Sequence, residues 1–168
     1  RCAVLSGAEN VMKWRLHLQA DSGSMAAVAV NVWALLFGIG MMMLGNGLQG
    51  SLLGVRAVQE GFGSGFTGTI MAAFFIGFLL GSLWVPHAVN QVGHIRVFAA
   101  LASIASATIL LHLILIYPLA WFAIRLVTGF CYAGILVVAE SWLNNAASNN
   151  TRGQLLSVYM VTTYLGMG

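Results

Sequence analysis

Long apolar runs, broken at short intervals by small polar clusters, organise this sequence, and each run has the roughly 20 residues that a helix needs to cross a bilayer. The first extends from about residue 26 to 55, the second from 66 to 85, the third from 96 to 116 and the fourth from 119 to 142. A fifth starts at 154 and is still apolar at 168. Arg56 and Glu60 mark the first connection, Pro86 to Ile95 the second, Tyr117 and Pro118 a tight third, and the Asn-rich stretch from Leu143 to Gly153 the fourth. Gly38, Gly40, Gly45, Gly47, Gly50 and Gly54 fall in the first run, and Gly77 and Gly81 form a GxxxG pair in the second. Small residues at that spacing let a neighbouring helix backbone come close.

Composition agrees with this pattern. The chain is 60% hydrophobic and 7% charged, with a mean hydropathy of +0.90, against roughly 25% charge in a soluble domain. An all-α integral membrane protein follows, with the lipid bilayer as its first partner. The net charge of +3 comes from scattered cations that form no basic stripe, which argues against nucleic acid. Cys2 and Cys131 have no metal-ligand spacing, His87 and His94 lack a Cys or carboxylate companion, and no metal or cofactor is expected. Residues 1–24 are mixed and polar, either a cytoplasmic tail or a non-native upstream segment, with Met25 a candidate start. The chain opens on Arg1 and ends at Gly168 within an apolar run, so it reads as a fragment. Counting cations by the positive-inside rule sets Arg1, Lys13, Arg15, Arg96 and Arg152 against Arg56 alone, which places the amino terminus in the cytoplasm.

Arg125 changes the picture most. It lies within the fourth run, where a charge costs a few kcal/mol on insertion scales, so it marks a functional site by default. Glu140, on the same helix, is too distant to pair with it, because fifteen residues at about 1.5 Å each put about 22 Å between them. Its partner must come from another helix, water or a bound anion. Glu140 lies near the cytoplasmic end, within reach of Arg152 or Arg96 for an ion pair. Asn46 and Gln49, three apart on the first helix, share a face and suit a polar cavity wall, or equally a hydrogen bond to a neighbouring helix. His112, alone among Leu and Ile, reads as an interhelical hydrogen-bonder, and Met41, Met42 and Met43 as packing or lipid-facing bulk.

From about residue 30 onward the chain resembles the major facilitator superfamily of secondary transporters, in particular its YcaD-like bacterial branch. The family's second loop has the pattern Gly-x-x-x-Asp-Arg-x-Gly-Arg-Arg. The equivalent stretch here runs from Pro86 to Arg96, keeping Gly93 and a nearby cation, with Pro86, Asn90 and Gln91 at the positions of the first Gly, the Asp and the Arg. Arg125, Thr128 and Gly129 resemble the family's Arg-x-x-Gln-Gly motif associated with proton coupling, with Thr128 in place of Gln. Val137 to Ser141, Thr151 to Leu156, and Tyr159 with Met160 are similar to the YcaD-like branch. The resemblance implies a twelve-helix protein of two six-helix halves, with substrate bound between them. Residues 25–168 would then be about four and a half helices of the amino-terminal half, and the missing carboxy-terminal half would be its partner.

The expected function is therefore secondary active transport of a small-molecule substrate by alternating access, with protons as the coupling ion, in a bacterial inner (plasma) membrane. Arg125, Thr128 and Gly129 are the coupling candidates, Asn46 and Gln49 the cavity wall, and Asn90, Gly93, Arg96, Glu140 and Arg152 the cytoplasmic gate. A membrane-embedded enzyme would need a nucleophile and base, paired carboxylates or a metal cluster at one depth, which the spans lack. A structural membrane protein would need no buried charge.

Overall fold

Five helices carry the chain in a computed structural model that describes residues 32–146 and 152–167. They are α1 (Val32–Gln59), α2 (Ser64–Val92), α3 (His94–Ile114), α4 (Pro118–Ala146) and α5 (Arg152–Met167). The first four are long and apolar enough to cross a membrane. The proposed tail at 1–24, the start of the first run, and Asn149 and Asn150 lie outside the described residues. The described residues before Ile39 fall outside the compact unit Ile39–Gly168, and the packing that follows is within that unit.

Each connection has a local cause. At the end of α1 Gly61 takes φ 76°, and the amides of Gly61 and Phe62 donate to the carbonyls of Val58 and Ala57. This is the Schellman pattern, in which a left-handed Gly lets the last carbonyls find partners. Arg56 and Glu60, expected in a loop, belong to this final stretch and pair at 3.7 Å. Gly93 at φ 95° alone separates α2 from α3. The stretch from Pro86 to Ile95 was expected to be a loop, yet it is helical apart from Gly93. The buried stripe Gly77, Gly81, Val85 and Val89 runs on past Pro86, and membrane helices tolerate the single lost backbone bond of a proline. Pro118 starts α4, where its missing N–H costs nothing, and Trp121 Nε1 donates to the Leu115 carbonyl at 2.7 Å across that turn.

The closest crossing is between α2 and α4. A Cβ on Gly77 would land on the backbone of Leu126, one on Gly129 on the backbone of Phe74, and one on Gly81 within 2.5 Å of the Phe130 carbonyl. Only glycine permits this approach, so the GxxxG pair read from the sequence faces α4. Gly166 of α5 similarly meets α1, where an added Cβ would lie 2.6 Å from Met43 Cβ. At the Gly61 end, Leu53, Ala57, Ile70 and Trp121 form the apolar core, with Phe62, Met71 and Phe122 packed against it.

Candidate functional site

Arg125 lies two turns into α4 and is 4% exposed. Its Nη2 donates to Met71 Sδ at 3.6 Å, and its Cζ lies over the Phe74 ring, 5.2 Å from the centroid. Both partners come from α2. From α1 the backbone of Gly50 closes in, so that a Cβ there would stand 3.4 Å from Nη2. A thioether is a weak acceptor, and a desolvated cation–π contact contributes about 2 kcal/mol. Neither replaces the hydration of a guanidinium.

The unmatched polar atoms gather on the same elements. Arg125 Nε is buried without a partner, as are both side-chain polar atoms of Gln49 and the Oδ1 of Asn46. Arg125 thus meets α1 at the residue after Gln49 and one turn after Asn46. Buried polar groups are nearly always paired, so four unpaired atoms here stand out. Among the described residues no carboxylate lies within salt-bridge distance of Arg125. Glu60 is held by Arg56, and Glu140 is on a distant part of α4.

Thr128 and Gly129 take separate roles. Thr128 is fully buried, its Oγ1 2.7 Å from the Ile124 carbonyl and 3.2 Å from Thr108 Oγ1 on α3. One hydroxyl proton serves one of these at a time. Gly129 is the point where α4 touches the backbone of α2. His112 was expected to bond between helices, but its Nδ1 instead meets the carbonyl of Thr108, one turn back on its own helix, at 2.9 Å. A carbonyl only accepts, so Nδ1 carries the proton and Nε2 is a free acceptor, buried and unpaired. The imidazole packs beside Trp121, with ring centroids 5.9 Å apart.

The gate candidates lie toward the Gly93 end. Glu140 and Arg152 line one polar cleft of about 400 Å³ with Ser141, Asn144 and Asn145. Within it Arg152 Nε donates to Asn144 Oδ1 at 2.6 Å, and among the described residues no ion pair joins Glu140 to Arg152 or to Arg96. Asn90 and Arg96 are exposed, and Gly93 is the single residue that joins their helices. Sequence reasoning missed the link between α3 and α4 here, His94 Nε2 to Ser141 Oγ at 2.9 Å. Its signal was a serine and a histidine at the ends of two apolar runs. Among the described residues no three His, Cys, Asp or Glu side chains converge as a metal site would require.

A known family accounts for this arrangement of helices, since the family described as sugar (and other) transporter matches residues 63–167. The chain belongs to that family. Two relatives, each named as an uncharacterized MFS-type transporter YcaD, come from Escherichia coli O45:K1 (strain S88 / ExPEC) and Escherichia coli O139:H28 (strain E24377A / ETEC). Both are 29% identical over 135 residues, covering 80% of this chain and 35% of the relative. The chain therefore spans about a third of the length of these curated relatives. No solved structure matches it. As a YcaD-like member of the major facilitator superfamily, it has the helices of the amino-terminal part of that fold, and its relatives are named as transporters rather than enzymes.

Proposed function

We propose that this major facilitator chain is part of a secondary active transporter that carries a small solute across a bacterial inner membrane by alternating access, driven by protons. The observation that carries the reading is Arg125, buried with no counter-ion among the described residues, beside the unpaired Oδ1 of Asn46 and the unpaired amide of Gln49. A charge is kept at membrane depth where it serves a solute or ion pathway. In this mechanism Asn46 and Gln49 line the path and Arg125 answers a protonation or substrate event. Thr128 and Gly129 hold α4 against α3 and α2 so that the guanidinium keeps its place. The Gly93 end faces the cytoplasm, as does the amino terminus. Asn90, Gly93, Arg96, Glu140 and Arg152 act there as contacts that part and re-form while the helices rock. The rest of the protein supplies the facing half.

The test is uptake into proteoliposomes containing the full-length protein under an imposed proton gradient, using whichever solutes of a broad panel the wild type accumulates. Arg125→Ala is expected to lower gradient-driven uptake at least tenfold, while the purified variant keeps its helical circular-dichroism signal. Full gradient-driven uptake by that variant would refute the assignment.

A further inference from the structure

We infer that the solute is a small monocarboxylate carrying a hydroxyl group, seated between Arg125 and the amides of Gln49 and Asn46. The inference deepens the transport reading and rests on it for its biological role, but it is tested by binding. It starts from charge. Arg125 is a guanidinium, which stays protonated in proteins, and it is 4% exposed. The acidic residues among those described are Glu60, engaged by Arg56 at 3.7 Å, and Glu140, fifteen residues along α4. An uncompensated buried cation is strongly unfavourable, and one cation calls for one negative charge. A dianion such as hydrogenphosphate would arrive with a second charge and no partner for it among these residues.

Hydrogen-bonding capacity narrows the class further. The unpaired donors are Arg125 Nε and Gln49 Nε2, and the unpaired acceptors are Gln49 Oε1 and Asn46 Oδ1. A carboxylate only accepts, so it satisfies the two donors and leaves both acceptors wanting a proton. A hydroxyl on the solute provides one. Asn46 and Gly50 are one turn apart on α1, with Gln49 beside them, and the missing side chain at Gly50 lets the guanidinium approach that helix closely, so that a Cβ there would stand 3.4 Å from Nη2. Met71 and Phe74 pack apolar surface against the guanidinium, which favours a compact organic acid, not a hydrated inorganic ion, as the matching occupant.

The experiment is a thermal-shift titration of the purified full-length protein with lactate, mandelate, propionate, inorganic phosphate and chloride at constant ionic strength. Lactate or mandelate is expected to raise the unfolding midpoint saturably, and propionate, which lacks the hydroxyl, to bind at least about threefold more weakly, the scale of one hydrogen bond. Arg125→Gln is expected to abolish the response. Gln49→Leu, which leaves the cation in place, is expected to weaken it at least about threefold, so the test survives if the Arg125 variant misfolds. The assignment is overturned if neither hydroxy acid acts differently from chloride, or if either Gln49→Leu or a folded Arg125→Gln responds like the wild type. Gradient-driven uptake of a neutral sugar with no response to either acid would overturn this inference and leave the transport reading standing. A saturable response to lactate with no uptake of any solute would do the reverse.

Discussion

Replacing Gly77 or Gly129 by alanine adds one methyl group to each side of the α2–α4 crossing, and both additions meet backbone, not a side chain that can rotate away. At Gly77 the new Cβ overlaps the Leu126 carbonyl and lies 3.0 Å from Leu126 Cα; at Gly129 it overlaps the Phe74 carbonyl and lies 3.0 Å from the Phe78 nitrogen. The helices must therefore separate, and overpacking of this kind costs about 1–3 kcal/mol per site. A parted crossing has already made room for a second methyl. The double variant should therefore lose less than the sum of the singles, as contacting sites do.

Gly68 supplies the control, because a Cβ there meets nothing within 4 Å and the site is exposed on α2. Gly68→Ala should be stabilising by about 0.5–1 kcal/mol through backbone entropy. Cys131, buried at 1% exposure and free, is a built-in reporter for a thiol-reactive dye that fluoresces as the protein unfolds on heating in detergent. Gly77→Ala and Gly129→Ala should lower the midpoint by several degrees while Gly68→Ala holds or raises it. If Gly77→Ala proves as harmless as Gly68→Ala, the argument for a backbone-to-backbone crossing is wrong.

Trp121→Phe keeps most of the ring in the core but removes the donor to the Leu115 carbonyl, so it should cost about 1 kcal/mol in the same assay, against about 3–5 kcal/mol for Trp121→Ala; an unchanged midpoint in Trp121→Phe would show that the indole N–H contributes nothing. Gly61→Ala forces a side chain into φ 76° and should cost about 1–2 kcal/mol, an effect that an unchanged midpoint would contradict. His112→Leu removes a buried acceptor that has no partner and should leave the midpoint unchanged or higher, and a clear fall would mean that Nε2 is paired in the full-length protein.

How far these features were readable in advance depends on the range of the interaction that makes them. Four spans and the start of a fifth follow from apolar runs, a local property, and so does the oddity of Arg125. Helix ends were less legible. Pro86 and the polar Asn90 and Gln91 read as a loop, yet α2 passes through them because Val85 and Val89 continue a buried stripe that only the neighbouring helices define. Contacts between helices left almost no trace. Nothing in the sequence singles out Thr108, in a run of small and apolar residues, as the partner of Thr128. The link from His94 to Ser141 spans 47 positions, and charge alone points Arg152 to Glu140, whereas its Nε donates to the neutral Asn144.

The spacing of Arg125 and Gly129 has a physical reading that joins these scales. Four residues apart, they lie one above the other on α4, and both address Phe74. The absent side chain at Gly129 admits the Phe74 backbone, and that approach brings the Phe74 ring beneath the guanidinium of Arg125. Phe74 also packs edge-on against Tyr132, at 6.1 Å between centroids, which fixes the ring from the next turn of α4. A side chain at position 129 would therefore act on Arg125 without touching it, by pushing the ring and Met71 away with α2. Such a variant separates the two functions of the motif. If Gly129→Ala in the full-length protein weakens uptake more than Gly77→Ala at matched loss of stability, the glycine serves the cation as well as the crossing; equal effects would reduce it to packing alone.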